Sequence, residues 1–161
     1  RKEWDNMFDT GHLCEIITQR CNISYAKFKG ALLVAPRDMV VIGTTEILPD
    51  GAIFTYGTSV PSNEKVPIVD GVVRATLIFS SLYVRPITPR SCFVVNAACA
   101  DPKGALPAMI VNASNESQSL CIATVRDMML DRPELIRSSV PFLEQNKNDR
   151  FVACRKTKAA V

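Results

Sequence analysis

Five short runs rich in β-branched and aromatic residues, at 22–29, 38–46, 52–60, 72–84 and 92–101, follow one another with no helical pattern between them. Their separators are turn chemistry: Pro36-Arg37, Pro49-Asp50-Gly51, Asp70-Gly71 and Thr88-Pro89-Arg90. Parallel neighbours would need crossover connections of a dozen or more residues, so strands joined this closely must pair antiparallel, as a meander. Pro49-Asp50-Gly51 is the strongest of the hairpin signals, because proline presets φ and glycine supplies a positive φ.

After Gly104 the pattern changes. Pro107 opens a helix at a position where its missing N–H costs nothing. Ile110, Ala113, Cys121, Val125 and Met128 then recur at multiples of three and four, and Pro133 disfavours helix at the residue before it. The spacing predicts one helix over 107–131. Its first half carries Asn112, Ser114, Asn115, Ser117, Gln118 and Ser119, too polar to seal a solid core, so this helix is expected to cover a cavity. Residues 1–19 place Trp4, Met7, Phe8, Ile16 and Ile17 among charges without alternation, which predicts a short helix, a break at Gly11 and a second helical turn.

A chain of 161 residues is one domain's worth and buries enough surface for a real core. Its apolar stretches fall far short of the ~20 residues a membrane-spanning helix needs. Net charge is +3. Five of the cations against Asp149 alone lie in 147–161, so the body is nearly neutral and shows no basic, aromatic-interleaved stripe of the kind nucleic acid demands. That tail is a solvated terminus or a contact for anionic headgroups; residues 134–161 read as an appended extension with one apolar patch, Val140-Pro141-Phe142-Leu143, expected to dock through Phe142 and Leu143. Six cysteines (14, 21, 92, 99, 121 and 154) sit in strand-like or helical surroundings and read as buried free thiols of a reducing, cytoplasmic compartment. The first residues, Arg1-Lys2-Glu3-Trp4-Asp5, have no apolar h-region and so do not read as a signal peptide, and the sequons at Asn22, Asn112 and Asn115 would matter only in a secreted protein.

The sequence carries no convincing catalytic pattern. His12 is the only histidine, and with Cys14 and Cys21 it has no zinc-finger spacing. Gly57-Thr58-Ser59-Val60-Pro61 fails as a nucleophile elbow at its last position, and no glycine-rich phosphate loop exists. The expectation is a non-enzyme with no cofactor and no metal. What remains is polar residues inside apolar strands. Arg74, between Val73 and Ala75, needs a carboxylate partner, a polar cavity or an outward-facing position. Asn96, in Phe93-Val94-Val95-Asn96-Ala97, reads as a buried amide that a neighbour, water or ligand must satisfy.

The order of several motifs is similar to that of the START (steroidogenic acute regulatory protein-related lipid transfer) family: Arg1-x-x-Trp4-Asp5, Ala35-Pro36-Arg37-Asp38, Asp50-Gly51, Thr58-Ser59-Val60, Gly71-Val72-Val73-Arg74-Ala75, and Asp101-Pro102-Lys103-Gly104-x-x-Pro107. The resemblance covers residues 1–130 and implies an α+β helix-grip fold, a curved antiparallel sheet packed on a long C-terminal helix around a lipid cavity. It further implies that residues 1–133 form a lipid-binding domain, N-terminally incomplete because family members carry further elements before the Trp-Asp motif. The ligand expected is a single amphiphilic lipid, for intracellular transfer.

In phosphatidylcholine-carrying members the arginine and aspartate of the first motif meet the headgroup, and Arg1 and Asp5 match them. Spaced one helical turn apart, they also fit a plain exposed ion pair. The buried acid–base pair of sterol binders falls near Ser24 and Gly43 and is missing, so a phospholipid is favoured over a sterol; the choline-cage aromatic falls on Ala26. Residues assigned to the lipid on this basis are Arg1, Asp5, Tyr25, Arg74, Asn96, Ile110, Ser114, Ser117 and Cys121. The connection 61–70, with Val66, Pro67 and Ile68, is either a gate at a transiently contacted membrane surface or a long surface loop. The alternative role is a regulatory lipid-sensing domain of a larger protein, a thioesterase or a signalling protein. Oligomeric state is not legible.

Overall fold

The computed structural model describes residues 1–30, 34–60, 66–88 and 91–133. Seven strands make one sheet: β1 (Phe8–Thr18), β2 (Cys21–Phe28), β3 (Arg37–Ile47), β4 (Ile53–Ser59), β5 (Val73–Arg74), β6 (Thr76–Thr88) and β7 (Ser91–Asp101). The order across it is β1-β2-β3-β4-β6-β7, every neighbour antiparallel, with β5 alongside β3. The meander is therefore as expected. Helix α1 (Ala108–Asp131) follows, starting one residue after Pro107, whose carbonyl accepts the Ile110 N–H at 2.9 Å. Residues 1–122 form one compact unit with the whole sheet and the first part of α1; residues 123–161 belong to a second. The extension 134–161, with Phe142, Leu143, Cys154 and the basic tail, lies outside the described residues, as do 61–65.

Local chemistry explains the turns. At the β3–β4 hairpin Gly51 takes φ +89°, Leu48 and Ala52 close the ladder at 2.8 Å, and the Asp50 carboxylate accepts the Ala52 N–H at 3.0 Å. The turn from β7 into α1 uses two left-handed residues, Lys103 (φ 54°) and Gly104 (φ 72°).

Two expectations need correction. Residues 8–18 are a strand, not a helical turn: Phe8 faces Phe28, Gly11 faces Ala26 and Thr18 faces Cys21. Three register shifts, at Phe8/Thr10, Leu13/Glu15 and Ile16/Thr18, destroy the alternation by which a strand announces itself. Gly11 is required there, since a Cβ would stand 2.7 Å from the Tyr25 carbonyl oxygen. The run 72–84 is two strands rather than one. Its first piece, β5, pairs parallel with Arg37 and Asp38 of β3, and the chain crosses over at Ala75, only 2% exposed, before joining the meander as β6.

The sheet has two faces that the register separates. Tyr25, Val40 and Ile42 lie on one; Ala26, Phe28, Met39 and Val41 lie on the other, because successive side chains alternate and directly opposed residues share a face. The small core of Tyr25, Val40 and Val66 sits on the first face.

Candidate functional site

The second face carries a cluster built from the N-terminus, two strands and the helix. Residues 1–5 close a single helical turn, with Asp5 N–H donating to the Arg1 carbonyl at 3.0 Å. That turn brings the guanidinium and carboxylate together: Nε and Nη2 of Arg1 both reach Oδ2 of Asp5 at 2.7 Å. The other Asp5 oxygen accepts the Met7 N–H at 3.1 Å. The Asp5 side chain is fully buried, whereas that of Arg1 keeps 38% of its surface. Three aromatic rings stand around the guanidinium carbon, with centroids at 5.5 Å (Trp4), 5.3 Å (Phe8) and 5.2 Å (Phe28). Such contacts contribute about 0.5–2 kcal/mol each. Phe8 and Phe28 meet edge to face at 6.3 Å. This is not the plain surface ion pair that the i, i+4 spacing alone would allow.

Cys121 joins this cluster. It is buried, and its thiol donates to the Ser117 carbonyl oxygen at 3.5 Å. Burial pushes its pKa up, the Asp5 charge adds to the rise, and Arg1 opposes it. Ile110, Ser114, Ser117 and Cys121 form one stripe of α1, all sheltered, while Met109 and Leu120 are 75% and 56% exposed. The helix thus turns inward a stripe with two hydroxyls and a thiol.

The other sequence-predicted residues fall elsewhere. Tyr25 and Arg74 belong to the opposite face. Arg74 forks onto Asp38, Nε to Oδ1 at 2.7 Å and Nη2 to Oδ2 at 3.1 Å, so of the three options open to it the carboxylate partner is realised. The same Nη2 also donates to the carbonyls of Pro67 (3.2 Å) and Val66 (3.5 Å). Tyr25 is buried beside this pair; desolvation, reinforced by the Asp38 charge and hydrogen bond, raises its pKa. Val66 is accordingly a buried core residue rather than part of a free loop, whereas Pro67 and Ile68 are exposed, Ile68 at 74%.

Asn96 is a correction. It is exposed, not a buried amide; β7 is the outermost strand of the sheet among the described residues. By register with Leu82, Thr55 and Thr45 it shares the Phe28 face, but it lies four strand spacings, about 19 Å, across the sheet from β2 and eight residues along the strands from the Phe28–Arg37 pair. The thiols also divide: Cys121 is buried, Cys14 and Cys21 are half-buried, and Cys92 and Cys99 are exposed on β7, against the expectation that all are buried. An open groove of about 450 Å³ over Ile42, Phe54, Tyr56 and Phe79 lies on the Tyr25 face, away from Arg1. Among the described residues, no group of three or more His, Cys, Asp or Glu side chains gathers as a metal site, and no helix is long and apolar enough to cross a membrane.

Sequence reasoning missed Phe8 and Phe28 as site residues. Their signal was the cross-strand pairing, which needed the position of β1. It also missed Arg37 and Asp38, whose motif was plain but whose partners are distant in sequence. Arg37 donates Nε to the Pro102 carbonyl at 3.3 Å and Nη2 to that of Lys103 at 3.2 Å. The Pro36-Arg37-Asp38, Val73-Arg74-Ala75 and Asp101-Pro102-Lys103-Gly104 segments are thus one connected structure.

Comparison with known proteins agrees with this architecture. START domain-containing protein 10 of Homo sapiens and of Mus musculus are each 28% identical over 117 residues, 72% of this chain and 39% of theirs. The chain therefore spans about two-fifths of the length of these curated relatives. The crystal structure of human STARD10 superposes with a TM-score of 0.71 at 25% identity, covering 88% of this chain and 58% of that one. Human StAR-related lipid transfer protein 5 superposes at 0.67 with 22% identity, over 78% and 64%. The sheet and helix are those of the helix-grip fold seen in these structures. The START domain pattern matches residues 1–130, most of the chain, and the chain belongs to the START domain family.

Proposed function

We propose that this domain binds a single amphiphilic lipid, a phospholipid in preference to a sterol, and carries it between membranes inside the cell without covalent chemistry. The observation that carries the reading is the Arg1 cluster. A guanidinium fixed by a buried carboxylate and three rings keeps 38% of its side-chain surface free, and the helical stripe nearest to it, at Ser117 and Cys121, is half polar. A guanidinium edge of this kind suits a phosphate, which it can hold with two parallel bonds. Hydrocarbon removed from water would supply the affinity, at roughly 25 cal/mol per Å², and a few polar side chains would choose the headgroup. Family membership supports lipid binding, and the name of one structural relative includes lipid transfer. The missing acid–base pair at Ser24 and Gly43, which lie on adjacent strands of the Phe28 face, supports the phospholipid preference.

The test is native mass spectrometry of the purified protein, followed by vesicle-to-vesicle transfer of labelled phosphatidylcholine and cholesterol. A co-purifying phospholipid that is transferred supports the reading. A neutral sterol as the sole bound lipid overturns the preference, and binding without transfer favours the sensing role over the carrier role.

A further inference from the structure

Arg37 and Asp38 are adjacent residues at the start of β3, and their side chains leave opposite faces of the sheet. Each holds a different segment. On one face Asp38, 1% exposed, takes the Arg74 fork, and Arg74 in turn holds the carbonyls of Val66 and Pro67. On the other face Arg37 holds the carbonyls of Pro102 and Lys103, in the left-handed turn from which α1 starts. The backbone is doubly tied at the same place: Val73 N–H donates to the Pro36 carbonyl at 3.0 Å and Ala75 N–H to that of Asp38 at 2.9 Å.

We propose that the Arg37-Asp38 dipeptide is a mechanical coupler, so that the segment 66–72 and the start of helix α1 loosen and tighten together although they lie on different faces of the sheet. The physical reason is the cost of a buried, unpaired charge. If Arg74 follows the 66–69 segment away from the sheet, the Asp38 carboxylate is left without its fork and must rotate toward water. Loss of the fork also loosens β5, whose Val73 and Ala75 N–H groups are bonded to the Pro36 and Asp38 carbonyls on either side of Arg37, and so frees the backbone that aims Arg37. Arg37 then swings off the Pro102 and Lys103 carbonyls, and the Asp101–Gly104 turn loses its anchor. The argument runs equally in reverse, as coupling between two sites must.

On the lipid-binding reading, contact of the exposed Ile68 and Val69 (74% and 49%) with a lipid surface would be felt at the start of α1, the helix that carries Cys121. The coupling itself is testable without any lipid, so failure of that reading and failure of the coupling are distinct results.

The experiment is amide hydrogen exchange on the full chain. Arg74→Lys keeps the charge but loses the fork; it should speed exchange at Ile68, Val69 and Val72 and also, by at least about threefold, at Gly104, Ile110 and Val111. Arg37→Lys should do the reverse, loosening the helix start directly and the 68–72 amides by a similar factor. Amides of the β6–β7 hairpin, such as Val84 and Val94, should not change and thereby report any global loss of stability. If each variant affects only its own side, the coupling is wrong. Should either variant fail to fold, exchange in the wild-type chain at low urea decides: one shared opening free energy for both segments supports the coupler, and two independent ones overturn it.

Discussion

Arg74 grips both oxygens of Asp38, 36 residues away in sequence, with bonds of 2.7 and 3.1 Å, and the carboxylate it grips is 1% exposed. Removing one partner of such a pair costs far more than the pair's net worth, because the other charge stays buried. Arg74→Met should therefore lower stability by about 3–5 kcal/mol, read as a reduced urea midpoint with unchanged m-value. The double variant Arg74→Met/Asp38→Leu should recover a large part of that loss. A double variant no better than the single one would show that the Arg74 contacts with Val66 and Pro67, and not the stranded carboxylate, dominate.

Tyr25 provides a pH signature. Its folded-state pKa is raised, chiefly by burial and then by Asp38, above an unfolded value of about 10. Folding therefore favours the protonated phenol. The stabilisation is complete below about pH 10 and is lost as pH rises through the folded pKa. Thermal midpoints of wild type and Tyr25→Phe should run parallel up to about pH 10 and converge or cross above it. Identical pH dependence in the two proteins would show that the phenol ionises as freely in the folded state as in the unfolded chain.

The thiols differ enough to be ranked by labelling. Cys92 and Cys99 are exposed on the outermost described strand, β7, whereas Cys121 is buried and its pKa is raised by burial and by Asp5. Since the thiolate is the reactive form, among the five described cysteines a maleimide at neutral pH should label Cys92 and Cys99 first and Cys121 last. Early modification of Cys121, read by peptide mass spectrometry, would contradict the burial of the Arg1 cluster.

Arg1→Ala leaves the buried Asp5 carboxylate without its partner and should lower stability, and under conditions where the domain stays folded it should also weaken phospholipid binding by more than the ~1 kcal/mol typical of an exposed ion pair. Unchanged phospholipid affinity, measured by displacement of a fluorescent analogue, would remove Arg1 from the site. Arg1→Lys separates charge from geometry, because lysine lacks the planar fork that meets both a carboxylate and a phosphate. It should rescue only partly.

The sequence by itself determined what local chemistry can specify. The helix is written in Pro107, in the recurrence of Ile110, Cys121, Val125 and Met128, and in Pro133, and it forms within one residue of the expected start. The β3–β4 hairpin is written in Asp50-Gly51, and the family in the ordered motifs that match over residues 1–130. Tertiary structure decided the rest. Residues 8–18 became a strand because β2 offered them a partner, and their three register shifts hide the two-residue period that a reader of the sequence needs. Asn96 is exposed and Asp38 buried for a reason no window of residues contains: burial depends on whether a strand ends up at the edge of the sheet or within it. Tyr25 and Arg1 carry the same kind of polar promise in sequence, yet the register puts them on opposite faces. Hydrophobic period and turn residues act over a few positions, whereas strand order, face and charge pairing are settled between residues tens of positions apart.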